Sequence, residues 1–412
     1  MLATRHRSRI ADATFPLSVT AVAPAIAALE RELERRRDSG LTRTRRVVES
    51  ALAPRLRVDG RDVLAFASND YLGLANAPSV AAAAHDAIGA YGVGAGASHL
   101  IVGHAAPHAA LEDALAAFVA PCAGARALTF SSGYLANLAI LTALAARGDV
   151  ILADRLNHAC LTDGALLSRA TFERYRHCDV DALARALATC GGRRRFIVTD
   201  AVFSMDGDIA PLPALLQLAE AFDAWLVVDD AHGFGVLGEG RGTLAHHGLA
   251  SERIVYMGTL GKAAGVAGAF VAAHPAVIET LLQTARSYAY TTASPPLLAA
   301  ALAAALRAIR DDDFRRVHLR SLIGTFRAGA GALPWSLLPS STPIQPLVVG
   351  DVADAVAISE ALLARGLLVP AIRPPTVPAG TARLRISLSA AHSVEDVGAL
   401  LAALRDIGRT LA

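Results

Sequence analysis

The chain is 412 residues long, 53% hydrophobic and 18% charged, which supports a large packed core and leaves little room for disorder. Its formal net charge of +2 argues against nucleic acid or an anionic membrane as a partner. Four cysteines, Cys122, Cys160, Cys178 and Cys190, show no CxxC spacing, so a reducing cytoplasm is expected rather than a disulfide framework.

The opening stretch, "MLATRHRSRIADATFPLSVTAVAPAIAAL", begins basic and turns apolar in the manner of a signal peptide. Thr, Ser and two prolines break that apolar run, and "ALERELERRR" follows at helical spacing. Residues 1–60 therefore read as an N-terminal extension with an amphipathic helical segment. The arginines within 34–37 and 43–46 read as solvated helix faces. "GVGAG" at 92–96 follows the helix-like "AAAAHDAIGAY" and so lacks the preceding strand of a dinucleotide fingerprint.

From about residue 125 to 274, short apolar runs alternate with helix-length stretches. The strand candidates are "ARALTF", "DVILAD", "FERYRH", "RFIVTD", "AWLVVDD", "RIVYMG" and "GAFVAAH". Uniformly apolar strands separated by helices imply an α/β fold whose mainly parallel, seven-stranded sheet is covered on both faces. Ligands in such sheets bind beyond the carboxyl ends of the strands. Residues 61–300 are expected to form this large domain. After residue 297 a long Ala/Leu helix, a Pro/Ser-rich break and an α+β pattern suggest a smaller C-terminal domain over 301–412. The apolar "LLAAALAAAL" is too short to cross a bilayer, so no membrane association is expected.

The polar residues at the strand ends carry the chemistry. Ser131, Ser132 and Gly133 open a helix, where unpaired N–H groups suit either a phosphate or an ordinary cap. His158 follows "VILAD" and reads as a structural residue, a ring-stacking group or an acid–base group. Ser204, Asp206 and Asp208 lie in "VFSMDGD", which also reads as a polar turn. Asp229 and Asp230 end an apolar strand, with His232 just beyond. A carboxylate there needs a positive partner, either a protonated ring nitrogen or a metal. His99, His104 and His108 also have ligand-like spacing, but no stretch shows a recognised zinc pattern, so no metal is expected.

"GTLGKAAG" places Lys262 in a tight, glycine-lined turn. Desolvation there lowers an amine's pKa and produces the free base that attacks a carbonyl. A phosphate-binding P-loop lysine is the alternative, but Ala263 follows Lys262 and the GxxxxGK[ST] spacing is missing. One cofactor accounts for all these residues: an aromatic aldehyde with a phosphate arm and a ring nitrogen, which is pyridoxal 5'-phosphate (PLP).

Through "FASNDYLGL", "FSSGY", "VFSMDGD", "DDAHGFG", "GTLGKAAG" and "IRPPTVPAGTARLRISLSAAH", the chain resembles the α-oxoamine synthase family of fold-type I PLP-dependent transferases. The resemblance runs from about residue 40 to the C-terminus. It implies that Lys262 anchors the cofactor's aldehyde and moves the substrate α-proton, that Asp229 pairs with the ring nitrogen, and that His158 stacks on the ring. It further implies that His232 and Ser204 donate to the ring's phenolic oxygen, and that Gly133, Tyr134 and Thr259 bind the phosphate. Arg373 would pair with the amino-acid carboxylate, while Thr376 and Arg43 would contact substrate. The implied reaction is decarboxylative condensation of L-alanine with a pimeloyl thioester of acyl carrier protein or coenzyme A. Glycine-using members of the family, a 2-amino-3-oxobutyrate ligase or a 5-aminolevulinate synthase, are the alternative. A homodimer is also implied. Two departures from the family pattern are the extra residues at 1–25 and Asp200, where relatives often carry glutamate.

Overall fold

A computed structural model describes residues 24–39 and 41–411. Residues 1–23, most of the expected extension, lie outside the described residues. The chain divides into two units, residues 1–47 and residues 48–412. The first contains helix α1 (Pro24–Asp38), in which Glu32 pairs with Arg35 and Arg36 one turn on. Its apolar residues Ile26, Leu29 and Leu33 are exposed.

The second unit begins with an antiparallel hairpin, β1 (Arg55–Val58) and β2 (Arg61–Ala65). Helices α2 (Pro78–Tyr91) and α3 (Ala106–Val119) flank a π-turn at His99–Gly103. Then β3 (Arg126–Phe130), β4 (Val150–Asp154), β5 (Thr171–Tyr175), β6 (Arg195–Asp200), β7 (Ala224–Asp229), β8 (Ile254–Thr259) and β9 (Ala269–Ala273) form one seven-stranded sheet. All seven strands expected from the sequence are present. Their order is β3-β9-β8-β7-β6-β4-β5, and β9 alone runs antiparallel to its neighbours.

Most inner strands are buried at every position, which is why they read as continuous apolar runs. Helices α4 (Gly133–Leu144) and α5 (Ala159–Ser168) cover one face, where Ile140, Leu141 and Leu161 pack with Val198 and Val227. Helices α6 (Val180–Thr189) and α7 (Leu212–Ala221) cover the other, through Leu183, Leu187 and Leu215. After the short α8 (Thr243–His246), helices α9 (Pro275–Thr284) and α10 (Arg286–Ala289) pack beside α4, and α11 (Pro296–Asp311) beside α2 and α3.

The C-terminal part is α+β, as the sequence pattern implies. Strands β10 (Ser336–Leu337), β11 (Ile344–Gly350), β13 (Ala371–Ile372) and β14 (Ala382–Ser387) form an antiparallel sheet in the order β10-β11-β14-β13. Helices α12 (Asp313–Ala330), α13 (Val352–Ala364) and α14 (Val394–Leu411) accompany it. Strand β12 (Leu367–Leu368) leaves this region to pair with β2. No helix among the described residues is long and apolar enough to cross a membrane.

Candidate active site

A cleft with about 180 Å³ of open space lies at the carboxyl ends of β6, β7 and β8. Gly133 and Tyr134 reach it from the start of α4, and His158 from the turn before α5. Ser204 comes from the loop after β6, Asp229 and His232 from the end of β7, and Thr259 and Lys262 from the end of β8. The sheet thus collects eight of the expected site residues from five chain segments.

Lys262 is held deep in this cleft because its turn is pressed against the loop at 74–75. Gly265 has φ +72°, and a Cβ there would lie 2.3 Å from the Ala75 nitrogen. The Lys262 Nζ sits 2.8 Å from His232 Nε2. Burial lowers the amine's pKa; the nearby Asp229 and Asp200 oppose the shift without cancelling it. His232 is pushed well down by burial and by the Lys262 charge, so its ring is neutral. Asn69 Oδ1 accepts both the Tyr71 hydroxyl at 3.1 Å and an Arg385 N–H at 3.2 Å. Tyr71 therefore donates to Asn69, His232 Nδ1–H donates to Tyr71 at 2.7 Å, and His232 Nε2 accepts from Lys262.

Asp229 and Asp230 point to different jobs. Asp230 lies beneath the cleft, accepting from the Thr243 N–H and hydroxyl and from Tyr256, with burial raising its carboxyl to about 7. Asp229 faces the cleft and accepts from the Ala231 N–H at 3.0 Å and the Asn137 amide at 2.7 Å. Asp200 stands in register beside it on β6, also in the cleft wall, accepting from the His158 N–H. Burial and then Asp229 push the Asp200 carboxyl well up.

These residues fit the cofactor that the sequence implies. The Ser132 side chain caps Leu135, leaving the Gly133 and Tyr134 N–H groups at the helix start for an anion. A Cβ at Gly133 would lie 3.5 Å from Met257 and 3.8 Å from the Thr259 hydroxyl, so a side chain there would narrow the cradle. Among the described residues, Asp229 meets no basic side chain at ion-pair distance, and the buried Asn137 Oδ1 behind it has no partner. A donor-rich pocket, an uncompensated carboxylate and a depressed amine are what a phosphate, a protonated ring nitrogen and an aldehyde require.

The remaining expected residues lie elsewhere. Arg373 is half-buried and Thr376 exposed, in a turn closed by the Thr376 N–H to Arg373 C=O bond at 3.1 Å; neither lines the cleft. Arg43 belongs to the first unit and is exposed. In "MDGD", Asp206 pairs with Arg383 and Asp208 with His177. His99, His104 and His108 do come together, but His108 uses both ring nitrogens on main-chain groups, accepting from Ala105 and donating to Ser294.

Three side chains escaped sequence reasoning, Cys160 in the cleft wall and Asn137 and Arg385 behind it. Asn137 and Cys160 are buried on α4 and α5, where their types read as helix interior. Arg385 is a buried guanidinium on β14, bonded to the Ser204 carbonyl, Ser387 and Asn69 but to no carboxylate among the described residues. Its charge lowers both Lys262 and His232. The unusual "RLRIS" strand, with two arginines facing a core, was the available signal.

The chain is similar to known proteins along most of its length. The pattern of class I and II aminotransferases matches residues 61–404. The chain is 59% identical to an 8-amino-7-oxononanoate synthase of Polaromonas naphthalenivorans, over 93% of this chain and 98% of that protein. It is 58% identical to the enzyme of the same name from Nitrosomonas europaea, over 93% and 100%. Among solved structures, serine palmitoyltransferase with PLP superimposes with a TM-score of 0.87 at 30% identity, covering 94% of this chain and 98% of that one. The chain belongs to the class I and II aminotransferase family, within the α-oxoamine synthases that include the 8-amino-7-oxononanoate synthases.

Proposed function

We propose that the protein is a PLP-dependent acyltransferase of biotin biosynthesis, condensing L-alanine with a pimeloyl thioester and releasing carbon dioxide. The observation that carries this is the convergence of Lys262, Asp229 and the Gly133–Thr259 cradle in one cleft. When bound, PLP stores the electron pair released at the amino acid's α-carbon.

The chain's own groups do the rest. Lys262 would hold the cofactor's aldehyde and would take and return the α-proton; its lowered pKa favours the free base this needs. The Asp229 carboxylate, fixed by Asn137 and Ala231, keeps the ring nitrogen protonated. The Gly133 and Tyr134 N–H groups and the Thr259 hydroxyl bind the phosphate. His158, Ser204 and His232 line the same cleft; His158 would cover one ring face, and Ser204 and His232 would stand at the phenolic oxygen.

Arg373 and Thr376 do not line the cleft of the single chain; Arg373 is assigned to the amino-acid carboxylate, and Thr376 and Arg43 to other substrate contacts, on the family resemblance alone. Arg385, bonded to the Ser204 carbonyl behind the cleft, would add a second guanidinium, already desolvated and without a carboxylate partner among the described residues. The thioester carrier is acyl carrier protein or coenzyme A. The protein works in the cytoplasm as a homodimer, and the strongly exposed Ile101, Val102 and Tyr290 supply an apolar face for the second copy.

The test is mass spectrometry of the product from PLP-supplemented protein, L-alanine and pimeloyl thioester. The expected product is 8-amino-7-oxononanoate; faster turnover of glycine than of alanine would overturn the assignment.

A further inference from the structure

The buried atoms behind His158 form a hydrogen-bond chain in which each donor can be assigned, running outward from Asn137. Asn137 Nδ2 lies 2.7 Å from Asp229 Oδ2 and 3.1 Å from Cys160 Sγ. Turning the amide over would set its oxygen against the carboxylate, lone pair facing lone pair, so the NH₂ group must face Asp229. Its two hydrogens then go to Asp229 and to the Cys160 sulfur. Cys160 Sγ lies 2.8 Å from His158 Nδ1, and the Cys160 N–H points at the same nitrogen at 3.4 Å.

The sulfur already accepts from Asn137, so its own hydrogen is directed to Nδ1. Burial, with Asp229 second, raises the Cys160 thiol to about 12, so that hydrogen stays on the sulfur at neutral pH. Two donors converge on Nδ1, which must present its lone pair to both. In a neutral imidazole the ring hydrogen then sits on Nε2.

We propose that Cys160 and Asn137 are positioning residues that lock His158 in its Nε2–H tautomer and tie its orientation to Asp229. The ring that lines the cleft thereby presents a hydrogen-bond donor to the substrate side and has no open acceptor at Nδ1. His158 acts as a donor to an oxygen of the reacting acyl or carboxylate group, and the α-proton is left to Lys262. This rests on the proposed function only in taking the cleft as the reaction site; the hydrogen-bond chain itself exists without cofactor.

The test is ¹⁵N NMR of histidine-labelled full-length protein at neutral pH, with and without PLP, the His158 signals being assigned through His158→Asn. Wild type should show an unprotonated Nδ1 and a protonated Nε2. Cys160→Ala should lose this single pattern and lower kcat about tenfold, with KM for alanine changed less than about twofold. Cys160→Ser, which can still accept from Asn137 and donate to Nδ1, should restore the tautomer and bring kcat to within about threefold of wild type. A protonated Nδ1 in wild type would overturn the proposal whether or not the variants fold, as would a Cys160→Ala spectrum identical to wild type. Protein that never takes up PLP would overturn the proposed function instead, and the tautomer could still be read.

Discussion

Two basic groups stand near the carboxyl ends of the same sheet, and their surroundings push them in opposite directions. His177, just after β5, is clamped between two carboxylates, Nδ1 at 3.1 Å from Asp154 and Nε2 at 2.8 Å from Asp208. Burial pulls its pKa down, but the bonds to Asp154 and Asp208 outweigh that and raise it to about 12, so the ring is a fixed cation. Lys262 is buried too, and its near carboxylates, Asp229 and Asp200, do not offset the desolvation. The matched charge closes a structural joint: through Asp208 it ties the loop carrying Ser204 to the end of β4. The mismatched charge is the reactive one, because burial without full compensation makes the amine give up its proton more readily than an ordinary lysine.

Lys262→Ala tests the reactive half, with the largest expected effect. Turnover should fall by at least about a thousandfold, and the protein should lose the visible absorbance of bound PLP. Retained turnover would break the contrast outright. Without cofactor, Lys262→Met should unfold at a higher temperature than wild type, since it removes a buried amine that lacks a full counter-charge.

The structural half predicts the reverse sign. His177→Gln should lower stability by about 3 kcal/mol in urea unfolding, because it leaves the deeply buried Asp154 without its cation. Its pH dependence sharpens the point. The folded pKa of His177, about 12, lies above the ordinary 6.5, so its stabilisation is complete below about 6.5 and is lost as pH rises through the folded value. Wild-type stability should therefore fall with pH above about 6.5 more steeply than that of His177→Gln; equal slopes would show that the clamp is not ionic.

Gly133→Ala should have the smallest effect. Its Cβ meets only ordinary contacts at 3.5 and 3.8 Å, so folding stability should stay within about 0.5 kcal/mol of wild type. It narrows the proposed phosphate cradle, and affinity for PLP should fall about tenfold in a fluorescence titration. Unchanged affinity would place the phosphate elsewhere.

Much of this was legible in order along the chain. Most strands of the seven-stranded sheet appear as apolar runs bounded by polar residues, because burial on both faces and solvent at the strand ends are local constraints; the largely exposed β5 is the exception. "GTLGKAAG" and "DDAHGFG" stood out for the same reason: a charged group beside glycine at such an end has few structural explanations. Pairing was not legible. Nothing in "MDGD" says that Asp208 meets His177 while Asp206 meets Arg383. Nothing in "NLAILTAL" marks Asn137 as the residue behind Asp229, since that contact spans 92 positions. Arg373 and Thr376 rest on the motif alone, since the turn that carries them is not part of the cleft lining of the single chain.

The sequence by itself determined the α/β architecture, the strand ends at which chemistry is concentrated, and the residue types available there. Only the tertiary structure decided which acid faces which base. Hydrophobic periodicity is a property of neighbours along the chain, whereas the pKa of Lys262 or His177 depends on charges and desolvation a few ångströms away in space. The order in which the strands and helices pack sets those distances, and no local pattern encodes it.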